Sequence, residues 1–144
     1  MFSSFFSSKN QKLVKQWTKE HEQIIALSAN VKEAYRINKF VTAKKELKKL
    51  RKLTLNHLMS EDNELYKLSE TLQETDEEIT GLIHSFSESF HDTKPALIHF
   101  LKEYANDEAV LDDNFLKTLN KLHVAFSKRV IYEEKTLFSR LSAS

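Results

Sequence analysis

Apolar side chains recur at three- and four-residue steps over four long stretches of the chain, the period of one face of an α-helix. The first stretch, from about Asn10 to Asn38, carries Leu13, Trp17, His21, Ile24, Leu27 or Ser28, Val31 and Tyr35. The second, from about Thr42 to Ser69, carries Ala43, Leu47, Leu50, Thr54, His57, Glu61, Leu65 and Leu68. A third opens at Thr75, where Glu78 completes a capping-box signature. It continues through Ile79, Ile83, Phe86, Phe90, Thr93, Leu97, Phe100 and Tyr104. Pro95 lacks a backbone donor, so this stretch is expected to kink, or to divide after Asp92 or Thr93. The fourth starts near Asp112 or Asp113, either a good N-cap, and carries Phe115, Leu119, Leu122, Phe126, Arg129, Glu133 and Leu137.

Four amphipathic helices with short links predict an all-α, up-down-up-down four-helix bundle over residues 10–144. Residues 1–9 form a short phenylalanine-rich extension in this reading. Phe2, Phe5 and Phe6 are expected to fold back and cap one end of the bundle, with docking to a partner as the alternative. Composition agrees with helix: one glycine and one proline in 144 residues leave almost no turn chemistry for β-hairpins.

Charge narrows the partners. The net charge is +1 with acids and bases intermixed, which gives no one-sided field to attract nucleic acid. The basic run Lys44 to Lys52 keeps its leucines at helical spacing, so it reads as a solvated helix face. The absence of cysteine excludes disulfides and thiolate metal sites. No apolar run approaches the ~20 residues that cross a bilayer, and Met1 to Lys9 lacks the basic start and long apolar core of a signal peptide. A cytoplasmic protein without a membrane span is the expectation. No activated nucleophile or phosphate-cradling loop is visible, so no enzymatic activity is expected.

The unusual members of the stripes are polar. His57 and Glu61 stand four residues apart, as do Arg129 and Glu133, so each pair emerges on one helix face. His21 lies about eleven residues into the first stretch, and at a rise of ~1.5 Å per residue the antiparallel neighbours present His57, Glu61, Arg129 and Glu133 near the same height. At that height the third stretch offers Phe86 and Phe90 and no ligand on its stripe. A buried layer of this kind must satisfy itself. In one solution His21, His57, Glu61 and Glu133 bind a divalent ion, imidazole and carboxylate favouring iron, manganese or zinc over calcium. In the other, Arg129 forks between Glu61 and Glu133 and the histidines complete the hydrogen bonds.

Leu13-Val14-Lys15-Gln16-Trp17 with Glu20-His21, then His57-Leu58-Met59-Ser60-Glu61-Asp62 with Leu65-Tyr66, and Glu133-Glu134 with Leu137-Phe138 resemble the hemerythrin-like domain. The resemblance covers nearly everything after Lys9. It implies a four-helix bundle around a non-haem di-iron centre that binds, stores or senses dioxygen. His21, His57 and Glu61 match the family's ligand positions one by one. Arg129 stands where the second His-x-x-x-Glu motif begins, Glu133 keeps its carboxylate, and Thr93 falls about where the remaining histidine belongs. His91 is the nearest replacement if Pro95 changes the register, whereas His84 and His99 point off the core face.

Two functions follow. One is a metal-binding domain with one or two non-haem iron ions and dioxygen or a similar small ligand. The other is a metal-free regulatory or protein-interaction module in which Arg129 fills the former metal site, a reading joined by a short similarity of the Leu-Val-x-x-Trp start and the Arg129 to Lys135 stretch to bacterial anti-sigma regulators.

Overall fold

The computed structural model describes the backbone of residues 2–72 and 76–143 and the side chains of residues 8–71 and 76–142. The described residues are all-α. Helix α1 spans Phe2–Arg36, α2 Phe40–Leu72, α3 Glu77–Ser89, α4 Thr93–Tyr104, α5 Asp113–Tyr132 and α6 Phe138–Ala143. A π-helical turn, Glu133–Leu137, joins α5 to α6 without a break. None of these helices is long and apolar enough to cross a membrane.

The predicted stripes are the buried faces. In α2, Ala43, Leu47, Leu50, Thr54, His57, Glu61 and Leu65 are all buried, each three or four residues from the next. Helix ends follow local chemistry. The carboxylate of Asp112 accepts from the Phe115 amide at 2.8 Å and starts α5 where the sequence placed its N-cap. Asp76 does the same for α3, accepting from the Ile79 amide at 3.1 Å; the expected capping residue, Thr75, lies outside the described residues. Asn38, at φ 62°, supplies the left-handed residue that turns α1 into α2, a conformation that asparagine tolerates better than most side chains.

Two boundaries differ from expectation. Helix α1 begins at Phe2 rather than Asn10, so the backbone of the nine-residue extension continues the helix. The side chains of Phe2, Phe5 and Phe6, expected to cap the bundle, lie outside the described residues. The third stretch divides as Pro95 implied, α4 opening at Thr93 directly after Asp92, but α3 already ends at Ser89. Pro95 then falls in the first turn of α4, where its missing N–H has no intrahelical partner to lose.

Helices α1 and α2 pack side by side along their length, α2 also meets α3 and α4, α4 meets α5, and α1 meets α6. Between them lie two apolar cores. One gathers Ile24, Leu47, Leu50, Phe100, Phe115, Leu119 and Phe126. The other gathers Trp17, Leu65, Ile79, Ile83, Phe86, Leu137 and Phe138. In α1 the polar His21 falls between Trp17 of the second core and Ile24 of the first, and in the last helical run Glu133 falls between Phe126 and Leu137. A polar layer therefore separates the two cores.

Candidate metal centre

His21 comes from α1, His57 and Glu61 from α2, and Glu133 from the π turn. All four are essentially inaccessible to solvent, the least buried being His21 at 1%. Each offers one ligand atom, and those atoms lie within 4.8 Å of one another. His57 Nε2 is 3.2 Å from Glu61 Oε2, His21 Nε2 is 3.3 Å from Glu133 Oε2 and 4.0 Å from Glu61 Oε2. None of these four atoms has a hydrogen-bond partner.

The opposite nitrogens and oxygens are all engaged. His57 Nδ1 sits 2.8 Å from Glu20 Oε1, and His21 Nδ1 sits 3.2 Å from Glu134 Oε1. An ionised carboxylate only accepts, so each Nδ1 carries the proton and donates. In a neutral imidazole with that proton, the lone pair lies at Nε2. On the carboxylates, Arg129 Nε donates to Glu133 Oε1 at 2.8 Å and Arg129 Nη2 donates to Glu61 Oε1 at 2.9 Å. The same fork leaves Oε2 of each glutamate aimed at the histidines.

The consequence is electrostatic. Two imidazole nitrogens and two carboxylate oxygens converge on one point, and Arg129, the cation nearest to them among the described residues, lies on the far side of the glutamates. Burial holds the His21 imidazole below its ordinary pKa and keeps it neutral. Desolvation works to raise the Glu61 carboxyl, but His57, Glu133 and Arg129 outweigh it and bring it to about 2. Glu133 is pushed well above the usual carboxylate range by desolvation and by the neighbouring Glu61 charge. Glu61 and Glu133 are equally buried and each holds one edge of Arg129, so the retained proton belongs to the pair rather than to Glu133 alone. One guanidinium cannot neutralise two carboxylates in this layer.

Packing fixes the rings. His21 stacks on Phe138 at 5.7 Å and 6° and meets Phe126 edge-on at 5.9 Å. The two histidine rings are 4.7 Å apart. Trp17, a turn before His21, donates from its indole N–H to Ser60 Oγ at 3.3 Å and walls the layer. On the other side the Arg129 guanidinium carbon lies 4.8 Å over the Phe86 ring.

The sequence placed the ligand-type residues and Arg129 in one layer, and they meet there. His91 does not: it is exposed near the break between α3 and α4 and takes no part in the cluster. The register expected to bring it inward fails because the chain breaks before it. His84 and His99 are exposed, and half-buried His123 faces Ser28 at 3.5 Å.

Glu20 and Glu134 were missed as partners of the histidines. In an α-helix, adjacent residues point about 100° apart, so helical spacing alone assigns Glu133 and Glu134 to different faces. The π turn brings both against one imidazole, Glu133 at Nε2 and Glu134 at Nδ1. Its wider turn is closed by the Phe138 N–H donating to the Glu133 carbonyl, five residues back. The position of each glutamate beside a ligand-type residue was the only signal available. Comparison with protein-family models, curated proteins and solved structures returns no match to this chain, and its functional reading stands on these side chains.

Proposed function

We propose that the chain is a hemerythrin-like four-helix bundle that holds one divalent transition-metal ion at His21, His57, Glu61 and Glu133, with Arg129 in place of a second ion. The four columns of the bundle are α1, α2, α3 with α4, and α5 with the π turn and α6. The observation that carries the reading is the convergence of four partnerless donor atoms in a buried layer. An unmet lone pair costs free energy wherever it is buried, and four aimed at one another also repel. A cation among them removes both penalties.

Arg129 accounts for the count of one. Its fixed charge occupies the side where a second ion would bind, and Phe86 beneath it offers no donor. The carboxylate partners of the two Nδ1 atoms are the arrangement that orients and strengthens histidine ligands. Imidazole with carboxylate fits iron(II), manganese(II) or zinc(II). An iron ion with a free coordination position would supply binding of dioxygen or a similar small ligand, and the protein would act as an oxygen-linked binder or sensor.

Anaerobic reconstitution with ferrous ion, followed by metal analysis, tests the reading. One iron per chain is expected, and His57→Ala should abolish it. Folded protein that takes up neither iron(II), manganese(II) nor zinc(II) would exclude the proposal and leave the arginine-filled, metal-free module.

A further inference from the structure

A cleft of about 730 Å³ opens between α2 and α3 near the start of α4, and Arg129 lines its inner end. Its size is that of a small-molecule site. The walls are apolar where they meet Arg129, with Phe86, Phe90 and Ile83, and Asp62 pairs with Lys94 at its edge. Arg129 gives Nε and Nη2 to the two glutamates, so Nη1 is the donor edge left for a guest.

The only glycine of the chain also lines this cleft. Gly81 sits inside α3, where glycine costs about 1 kcal/mol relative to alanine. No close backbone approach explains it, since an added Cβ would meet nothing within 4 Å. What the missing side chain provides is open space above the helix.

We propose that the cleft binds a small carboxylate with an apolar body, its head on Arg129 Nη1 and its body against Phe86 and Phe90. The occupied metal centre and the guest strengthen each other, a coupling that rests on the proposed metal site. Without an ion, the carboxylates that hold Arg129 cancel its charge, and the group offers an anion no net attraction. A divalent ion makes that group net positive and the anion is attracted. Linkage requires the guest to favour the ion by the same factor. A carboxylate suits the site better than a phosphate dianion, because one guanidinium edge and apolar walls solvate a single charge.

Benzoate is the probe and zinc the ion, followed by calorimetry and by the ring resonances of Phe86 and Phe90. Benzoate should bind the zinc-loaded protein at least about tenfold more tightly than the metal-free protein. Gly81→Trp and, independently, Ser87→Trp should fill the cleft and abolish benzoate binding while one zinc per chain is retained. No binding to protein that holds its zinc, or binding unchanged by both variants, overturns the assignment. Equal affinity with and without zinc overturns the coupling. Protein that takes up neither zinc(II), iron(II) nor manganese(II) refutes the metal reading and the coupling together. The cleft is then decided on metal-free protein, where ring shifts lost in both variants uphold it and absent shifts overturn it.

Discussion

The Glu61 and Glu133 carboxylates divide one polar layer into two sides that solve the same problem differently. On the arginine side, Oε1 of each glutamate accepts a hydrogen bond from one guanidinium, which stacks over Phe86. On the histidine side, Oε2 of each glutamate faces an imidazole nitrogen and no hydrogen bond forms. The first side is complete with protein atoms alone; on the second, four ligand-type atoms have no hydrogen-bond partner. A fixed charge and an ion site are therefore compatible in one layer, provided each carboxylate gives one oxygen to each.

The largest way to break this comparison is to remove the cation that completes the first side. Arg129→Ala leaves two carboxylates buried without their counterion, and the metal-free protein should lose about 3–5 kcal/mol of stability, read by chemical denaturation. A loss below about 1 kcal/mol would show that the arginine side is not held by this fork. That outcome would also remove the reason for a single ion.

Removing the ion attacks the other side and should cost somewhat less. With free metal at 100 times Kd, chelation should lower stability by about 2.7 kcal/mol, since a ligand bound only to the folded state stabilises it by mass action. Thermal denaturation with and without chelator measures this. An unchanged transition would mean that the four partnerless atoms gain nothing from a cation.

Much of this contrast was legible in the sequence, and its limits are physical. Helical periodicity carried the fold because each stripe residue reports its face directly: Ala43 to Leu65 is buried as spaced, and Asp112 caps as its side chain dictates. The same periodicity placed His21, His57, Glu61, Arg129 and Glu133 at one height. It could not say which oxygen of a glutamate points where, so ion and arginine looked like alternatives. It also assumed 3.6 residues per turn throughout, and the π turn violates this. Leu137 and Leu141 continue the four-residue stripe from Glu133, whereas Phe138 is buried beside them and Glu134 reaches His21 from off that stripe.

The outer carboxylates sharpen the comparison by testing the histidine side without touching a ligand. Glu20→Ala removes the acceptor of His57 Nδ1 and frees the ring to change tautomer, which should weaken metal binding about 10- to 100-fold. Glu134→Ala should fall at the lower end. Its contact is longer, 3.2 Å against 2.8 Å, and its side chain is 38% exposed against 18% for Glu20. Metal titrations on both variants give the ranking; equal or absent effects would mean that packing on Phe138 and Phe126 alone orients the rings.

The smallest effect is expected where the arginine side opens outward. Gly81→Ala adds a methyl group into empty space, with nothing within 4 Å to displace, in the interior of α3. Only helix propensity should change, and the variant should gain about 0.5–1 kcal/mol while metal content stays constant. A loss of stability would mean that the space above Gly81 is filled in solution, and the arginine side would then be as closed as the histidine side. A gain leaves the asymmetry intact: the histidine side is sealed by Trp17, Phe126 and Phe138, whereas the arginine side ends in a cleft that its only glycine keeps open.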